Sequence, residues 1–93
     1  MKFDSVGGNF ANANFEGADL NIAGFRFANL AGANLRHTNL YRADLAQADL
    51  TGADLTDANL DSADVDGAIF NQVKGLDSVK GMSTTKGKCV GCK

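Results

Sequence analysis

The chain has 93 residues, enough for one small domain, with 11 glycines, no proline or tryptophan and 22% charged residues. Its net charge of −2 divides unevenly: residues 1–72 hold ten acids against four bases (−6), and residues 73–93 hold one acid against five lysines (+4), a mildly acidic body with a basic tail. No apolar run reaches the length of a membrane span, MKFDSVGG lacks the apolar stretch of a secretory signal, and two cysteines are too few for a disulfide framework, so the chain reads as soluble, without membrane insertion, and leaves its compartment open.

Residues 1–7 read as an N-terminal cap, because Phe3 and Val6 are out of step with the units after them and can fold over the first of these. From Gly8 to residue 72 a period of five governs the chain. Its centres are Phe10, Phe15, Leu20, Phe25, Leu30, Leu35, Leu40, Leu45, Leu50, Leu55, Leu60, Val65 and Phe70, the predicted structural core. Two residues before each centre stands a small residue, alanine in eleven of thirteen units, and one before it Asn or Asp, also in eleven, with Gly24 and Ile69 the exceptions.

A helix advances about 100° per residue, so steps of five scatter the centres around the cylinder, and in a flat strand an odd spacing alternates faces. A small and a large residue two apart do share one side of extended chain. If the chain turns a right angle once per unit, every such pair faces a common axis, and four units close a square of twenty residues. Gly17, Gly32, Gly52 and Gly67 fall two residues after a centre, which points to a corner with positive φ, as in a type II turn. Asn12, Ile22 and Phe27 at the same position predict that the corners are of more than one kind. Successive coils stack at about 4.8 Å with hydrogen bonds between them.

The pattern A-(D/N)-L-X-X, seen unbroken in ANLAGANL (28–35), resembles that of the pentapeptide-repeat family, of the type common in cyanobacterial proteins, over about two-thirds of the chain. The resemblance implies an all-β solenoid, a right-handed quadrilateral β-helix of about three coils of four repeats, with a short helical C-terminal cap. It also implies a cytoplasmic or thylakoid-lumen setting. Residues 73–83 supply the predicted capping segment, where Val73, Leu76, Val79 and Met82 at threefold spacing point to a short helical or 3-10 stretch across the last coil, weakened by Gly75 and Gly81, and residues 84–93 supply a flexible basic tail.

Three features carry the candidate chemistry. Ile22, Arg26, Phe27, Tyr41 and Arg42 mix apolar and arginine side chains at outward positions, a composition found in interface cores, unless the N-terminal segment folds back over them. They predict a non-enzymatic scaffold that binds a protein partner or itself. Seven aspartates between Ala43 and Val73, with no base among them, resemble family members that mimic DNA and inhibit DNA gyrase, the alternative function; the other reading is a solvated face whose Asn and Asp bond nearby backbone. Cys89 and Cys92 form a candidate disulfide and a second alternative, a redox-responsive module; in register they also match a C-x-x-C segment that leads into further repeats, as in a piece of a longer protein.

The residues predict no catalytic group, no cofactor and no metal site, since His37 is the only histidine and no nucleophile stands beside a base. Direct nucleic-acid binding is not expected of an acidic body. His37 is expected to meet Asp57, and Glu16 to pair with Arg36.

Overall fold

A computed structural model describes residues 3 to 92. The backbone forms a stack of coils joined by parallel bridges between residues twenty apart: Asn9 to Asn29 to Asp49, Asn14 to Asn34 to Asp54, Asp19 to Asn39 to Asn59, and Asp4 to Gly24 to Asp44 to Asp64. From Gly24 on, each bridging residue donates its N–H to the coil before, as Asn29 does to the Gly8 carbonyl at 2.8 Å, and each centre donates to the coil after, as Phe10 does to the Asn29 carbonyl at 2.7 Å. Paired segments are one bridge long, because a corner follows every centre.

All the corners are of one kind, contrary to the mixture expected from Asn12, Ile22 and Phe27. The residue two after each centre has positive φ at every corner from Gly7 to Gln72, with Asn12 at 63°, Ile22 at 62° and Phe27 at 63°. The next unit's small residue closes each turn by donating to the centre's carbonyl, as in Ala23 to Leu20 at 2.9 Å. A left-handed conformation costs a non-glycine residue about 1–2 kcal/mol. It is imposed here because the same residue must meet the coil above, as Ile22 does by donating to the Tyr41 carbonyl at 2.8 Å. Register outweighs residue preference.

Eleven of the thirteen predicted centres, Leu20 to Phe70, are buried, as are the alanines from Ala23 to Ala68. Alanine is required there because the coil interior has room for one large side chain per unit. Thr38, the exception, is buried too, and its hydroxyl donates to the Leu35 carbonyl at 2.8 Å. Phe10 and Phe15 are half-buried and meet Phe25 edge-on at 5.7 and 6.0 Å, so aromatic rings close the N-terminal end of the tube. The preference for Asn or Asp before the centre has a direct cause: in all eleven such units Oδ1 accepts the N–H two residues on and holds the corner.

Both ends differ from expectation. At the front, Asp4 bridges to Gly24 and Gly8 donates to the Ser5 carbonyl, so residues 3–7 form one more unit of the stack. Phe3 occupies its small-residue slot and covers Phe10 and Phe25 at 5.9 and 5.2 Å, while Val6 points to solvent at a corner and covers nothing.

At the back, pairing continues where a flexible tail was expected: Asp54 to Lys74, Asn59 to Lys80, Asp64 to Lys86 and Ile69 to Val90. The units here stretch to six residues, VKGLDS and VKGMST, followed by TKGK. The short helical or 3-10 segment expected over residues 73–83 takes the 3-10 form, in two turns, Leu76–Ser78 and Met82–Thr84. Gly81, at φ 84°, makes this possible: a Cβ there would lie 2.6 Å from the Asp61 amide nitrogen, so only glycine lets the last coil lie flat on the one below. The extra residue displaces two carbonyls that the coil below needs. Hydroxyls replace them, Ser78 Oγ accepting the Asp57 N–H at 2.8 Å and Thr84 Oγ1 the Ser62 N–H at 2.9 Å.

Candidate interaction surface

Corner residues point away from the axis, and the five predicted interface residues lie on two successive corners. Ile22 sits under Tyr41 and Arg42 on one edge, joined by its hydrogen bond to the Tyr41 carbonyl. Arg26 and Phe27 lie on the next edge, where Phe27 donates to the Ala46 carbonyl at 3.0 Å and so stands beneath Ala46 and Gln47. Among the described residues the N-terminal segment does not cover them, since Phe3 is turned to the tube end. Ile22 is 43% exposed, Phe27 59% and Tyr41 37%, high values for large apolar side chains in a molecule this small. Arg26 is held from both sides, with Nε 3.2 Å from Asp44 Oδ2 and its guanidinium 6.0 Å from the Phe27 ring centre. No ion pair among the described residues involves Arg42.

The acidic face is partly neutralised. Asp44 and Asp64 are bridged neighbours, but Arg26 pairs with Asp44, and Arg36 lies between Asp54 at 3.3 Å and Glu16 at 4.0 Å. His37 Nδ1 is 3.7 Å from Asp57 Oδ2. The Thr51 hydroxyl, at 2.6 Å from Asp49, holds that carboxyl below its ordinary value, with help from the Thr51 N–H. Asp54 is lowered in the same way by the Thr56 hydroxyl, then by the Thr56 N–H and Arg36, against the opposing effect of burial.

Cys89 and Cys92 are joined by a disulfide on the last coil. Beside it lies an open depression of 620 Å³, lined mainly by Leu76, Met82, Thr85, Cys89 and Cys92, with Asp77 and Lys88 at its rim. The fivefold count misses this end face. The recurrence of V-K-G at Val73 and Val79, six residues apart, is the signal that finds it. Among the described residues no group of His, Cys, Asp or Glu is placed to hold a metal ion, and no helix is long and apolar enough to cross a membrane.

A square coil with Asn or Asp capping each corner defines a pentapeptide-repeat solenoid. The family described as pentapeptide repeats matches in eight copies, at residues 8–45, 23–57 and 33–72, and the chain belongs to that family, whose fold is a right-handed quadrilateral β-helix and whose members are in general non-enzymatic repeat structures.

Among solved structures, the chain is similar to HetL of the cyanobacterium Nostoc, a pentapeptide-repeat protein involved in heterocyst differentiation regulation, with 35% identity and TM-score 0.75 over 83% of this chain and 38% of that one. It is also similar to a pentapeptide-repeat protein of the Arabidopsis thaliana thylakoid lumen, with 31% identity and TM-score 0.73 over 88% of this chain and 59% of that one. A third, Rfr23 of the cyanobacterium Cyanothece, gives 33% identity and TM-score 0.53 over 94% of this chain and 63% of that one. The chain therefore spans less than two-thirds of each of these relatives. Comparison with curated proteins finds no match.

Proposed function

We propose that the chain is a non-catalytic scaffold that binds a protein partner through Ile22, Arg26, Phe27, Tyr41 and Arg42, with Leu76 and Val79 closing the core as parts of a capping last coil. One observation carries this reading. Ile22 is a β-branched residue at φ 62° that stays 43% exposed, at a position where glycine or asparagine is cheaper. The coil's register holds this conformation whatever residue stands there, so nothing within the molecule calls for an exposed isoleucine, and a partner that covers Ile22, Tyr41 and Phe27 supplies the reason. HetL's involvement in a regulatory process agrees with a role through contact and not chemistry.

The test is an affinity capture from a cyanobacterial extract with the wild-type chain and a Phe27→Ser/Tyr41→Ser variant. Loss of specific partners in the variant supports the reading, and identical capture with identical oligomeric state overturns it.

DNA mimicry draws less support, because Asp44 and Asp54 are paired with arginines. Inhibition of gyrase supercoiling at micromolar protein would restore it. The disulfide supports the redox reading and an oxidising compartment such as the thylakoid lumen, where the Arabidopsis relative resides. A Cys89→Ser/Cys92→Ser variant that matches the wild type in stability under oxidising and reducing conditions removes it.

A further inference from the structure

The bond that holds eleven corners, from the N–H of the residue after a centre to the Asn or Asp side chain before it, has no acceptor in the units of Gly24 and Ile69. Among the described residues the Arg26 and Asn71 N–H groups accordingly donate to nothing. At residue 69 an isoleucine side chain stands where the cap would be. At residue 24 there is only hydrogen, so a backbone donor and an open place beside it occur together.

This opening lies within the corner surface. Gly24 falls between Ile22 and Phe27 on one side of the square, and its bridged neighbour on the coil above is Asp44, two residues beyond Arg42. The fold does not require glycine here, because its φ is outside the left-handed region. A Cβ would come closest to Oδ1 and Cγ of Asp4, at 2.8 and 3.3 Å, the end of an exposed side chain that can turn aside. An asparagine, as at Asn29 and Asn34, would therefore fit and cap the corner. The other N–H groups from Ile22 to Phe27 are all bonded within the stack, which leaves that of Arg26 as the backbone donor offered outward between the two exposed apolar side chains. Arg26 is paired with Asp44, while Arg42 keeps a charge in no ion pair among the described residues.

Resting on the reading that this surface binds a protein, we propose that the partner supplies the missing cap. An aspartate of the partner, set among apolar residues, enters over Gly24 and accepts the Arg26 N–H, as Asp44 Oδ1 accepts that of Ala46 at 3.0 Å. Arg42 meets its charge, and the apolar neighbours of that aspartate cover Ile22, Phe27 and Tyr41. An asparagine makes the same bond without the charge and binds more weakly. The site is on the side of the stack, so coils added before or after these residues leave it in place.

The probe is a tripeptide with blocked ends, aspartate between two leucines, titrated to about 10 mM into the isotope-labelled 93-residue chain and followed by NMR, which reads affinities as weak as millimolar. In the free chain the Arg26 amide should exchange with solvent at least about tenfold faster than the capped amides of Ala31, Arg36 and Ala46. With peptide its resonance should move to saturation, and alanine in place of the aspartate should weaken binding at least about tenfold, asparagine less. Gly24→Asn caps the corner from within: it should keep or raise the thermal midpoint, protect the Arg26 amide and cost the aspartate peptide at least about tenfold in affinity. Arg26→Pro, which suits the second residue of a turn whose third has positive φ, removes the donor and should bind at least about tenfold more weakly than Arg26→Gln, which keeps it. Phe27→Ser/Tyr41→Ser tests the surface separately and should weaken the aspartate and alanine peptides alike. If those two peptides bind equally well and both depend on Phe27 and Tyr41, the surface stands and the cap is overturned. A peptide that moves no resonance in this region, an Arg26 amide as protected as the capped ones, or a Gly24→Asn variant that binds unchanged overturns it too.

Discussion

Gly81→Ala and Gly52→Ala make the same chemical change in nearly the same backbone conformation, φ 84° and 72°, and should differ several-fold in cost. The left-handed conformation alone costs alanine about 1–2 kcal/mol, and this applies to both. At Gly52 the new methyl meets nothing within 4 Å, so the cost ends there. At Gly81 it would stand 2.6 Å from the Asp61 amide nitrogen, a backbone atom that cannot rotate away.

The last coil must therefore lift. The bonds beside Gly81, from Lys80 N–H to the Ala58 carbonyl at 2.9 Å and from Leu60 N–H to the Lys80 carbonyl at 2.8 Å, weaken with it, at about 1 kcal/mol each. Leu76 and Met82, which lie against the core from this coil, lose contact as well. The sum is about 3–5 kcal/mol, against a total stability of about 5–14 kcal/mol for a chain of this length. Urea unfolding followed by circular dichroism, with a slope of about 1 kcal/mol per molar, should lower the midpoint by about 1 M for Gly52→Ala and by about 3 M for Gly81→Ala. Equal shifts for the two variants would refute the claim that close backbone approach, and not φ alone, fixes glycine in the last coil.

Leu50→Ala empties the middle of the column formed by Leu30, Leu50 and Phe70, where side chains are fully buried, and should cost about 3–5 kcal/mol, read as a fall in the urea midpoint of at least 2 M. Asp49 and Asp54 have folded pKa values below the ordinary 3.8, so the stability they contribute is complete above that value and is lost as pH falls through their lower folded values. Thr51→Val/Thr56→Val removes the leading cause, and the thermal midpoint should then fall less between pH 5 and pH 2 than it does in the wild type. Ser78→Ala and Thr84→Val leave the Asp57 and Ser62 N–H groups to solvent, and each should cost about 1 kcal/mol by urea unfolding.

The tube was legible because its constraint is steric and repeats: each unit admits one large and one small inward side chain, and the sequence shows both in nearly every unit. The pairings along it came from counting twenties, as with Asp44 and Asp64 or Glu16 and Arg36. The uniform corner was not legible, because the preference of one residue for negative φ is worth about 1–2 kcal/mol, less than the paired neighbours on either side that hold its register. Asn12, Ile22 and Phe27 are read wrongly by propensity, and Ile22 and Phe27 are informative on the surface for the same reason: the coil would accept glycine there, and their exposed side chains are not part of the buried core.

At the C-terminal end the inward positions shift by one residue per unit, so a count of fives dissolves into a basic tail. What persists is the smaller signature of a residue over the core, a lysine at the bridge and a glycine pressed on the coil below, followed in the two six-residue units by a serine or threonine that completes the lost hydrogen bond. This coil is thus recognised by the residues that let it lie on the one below.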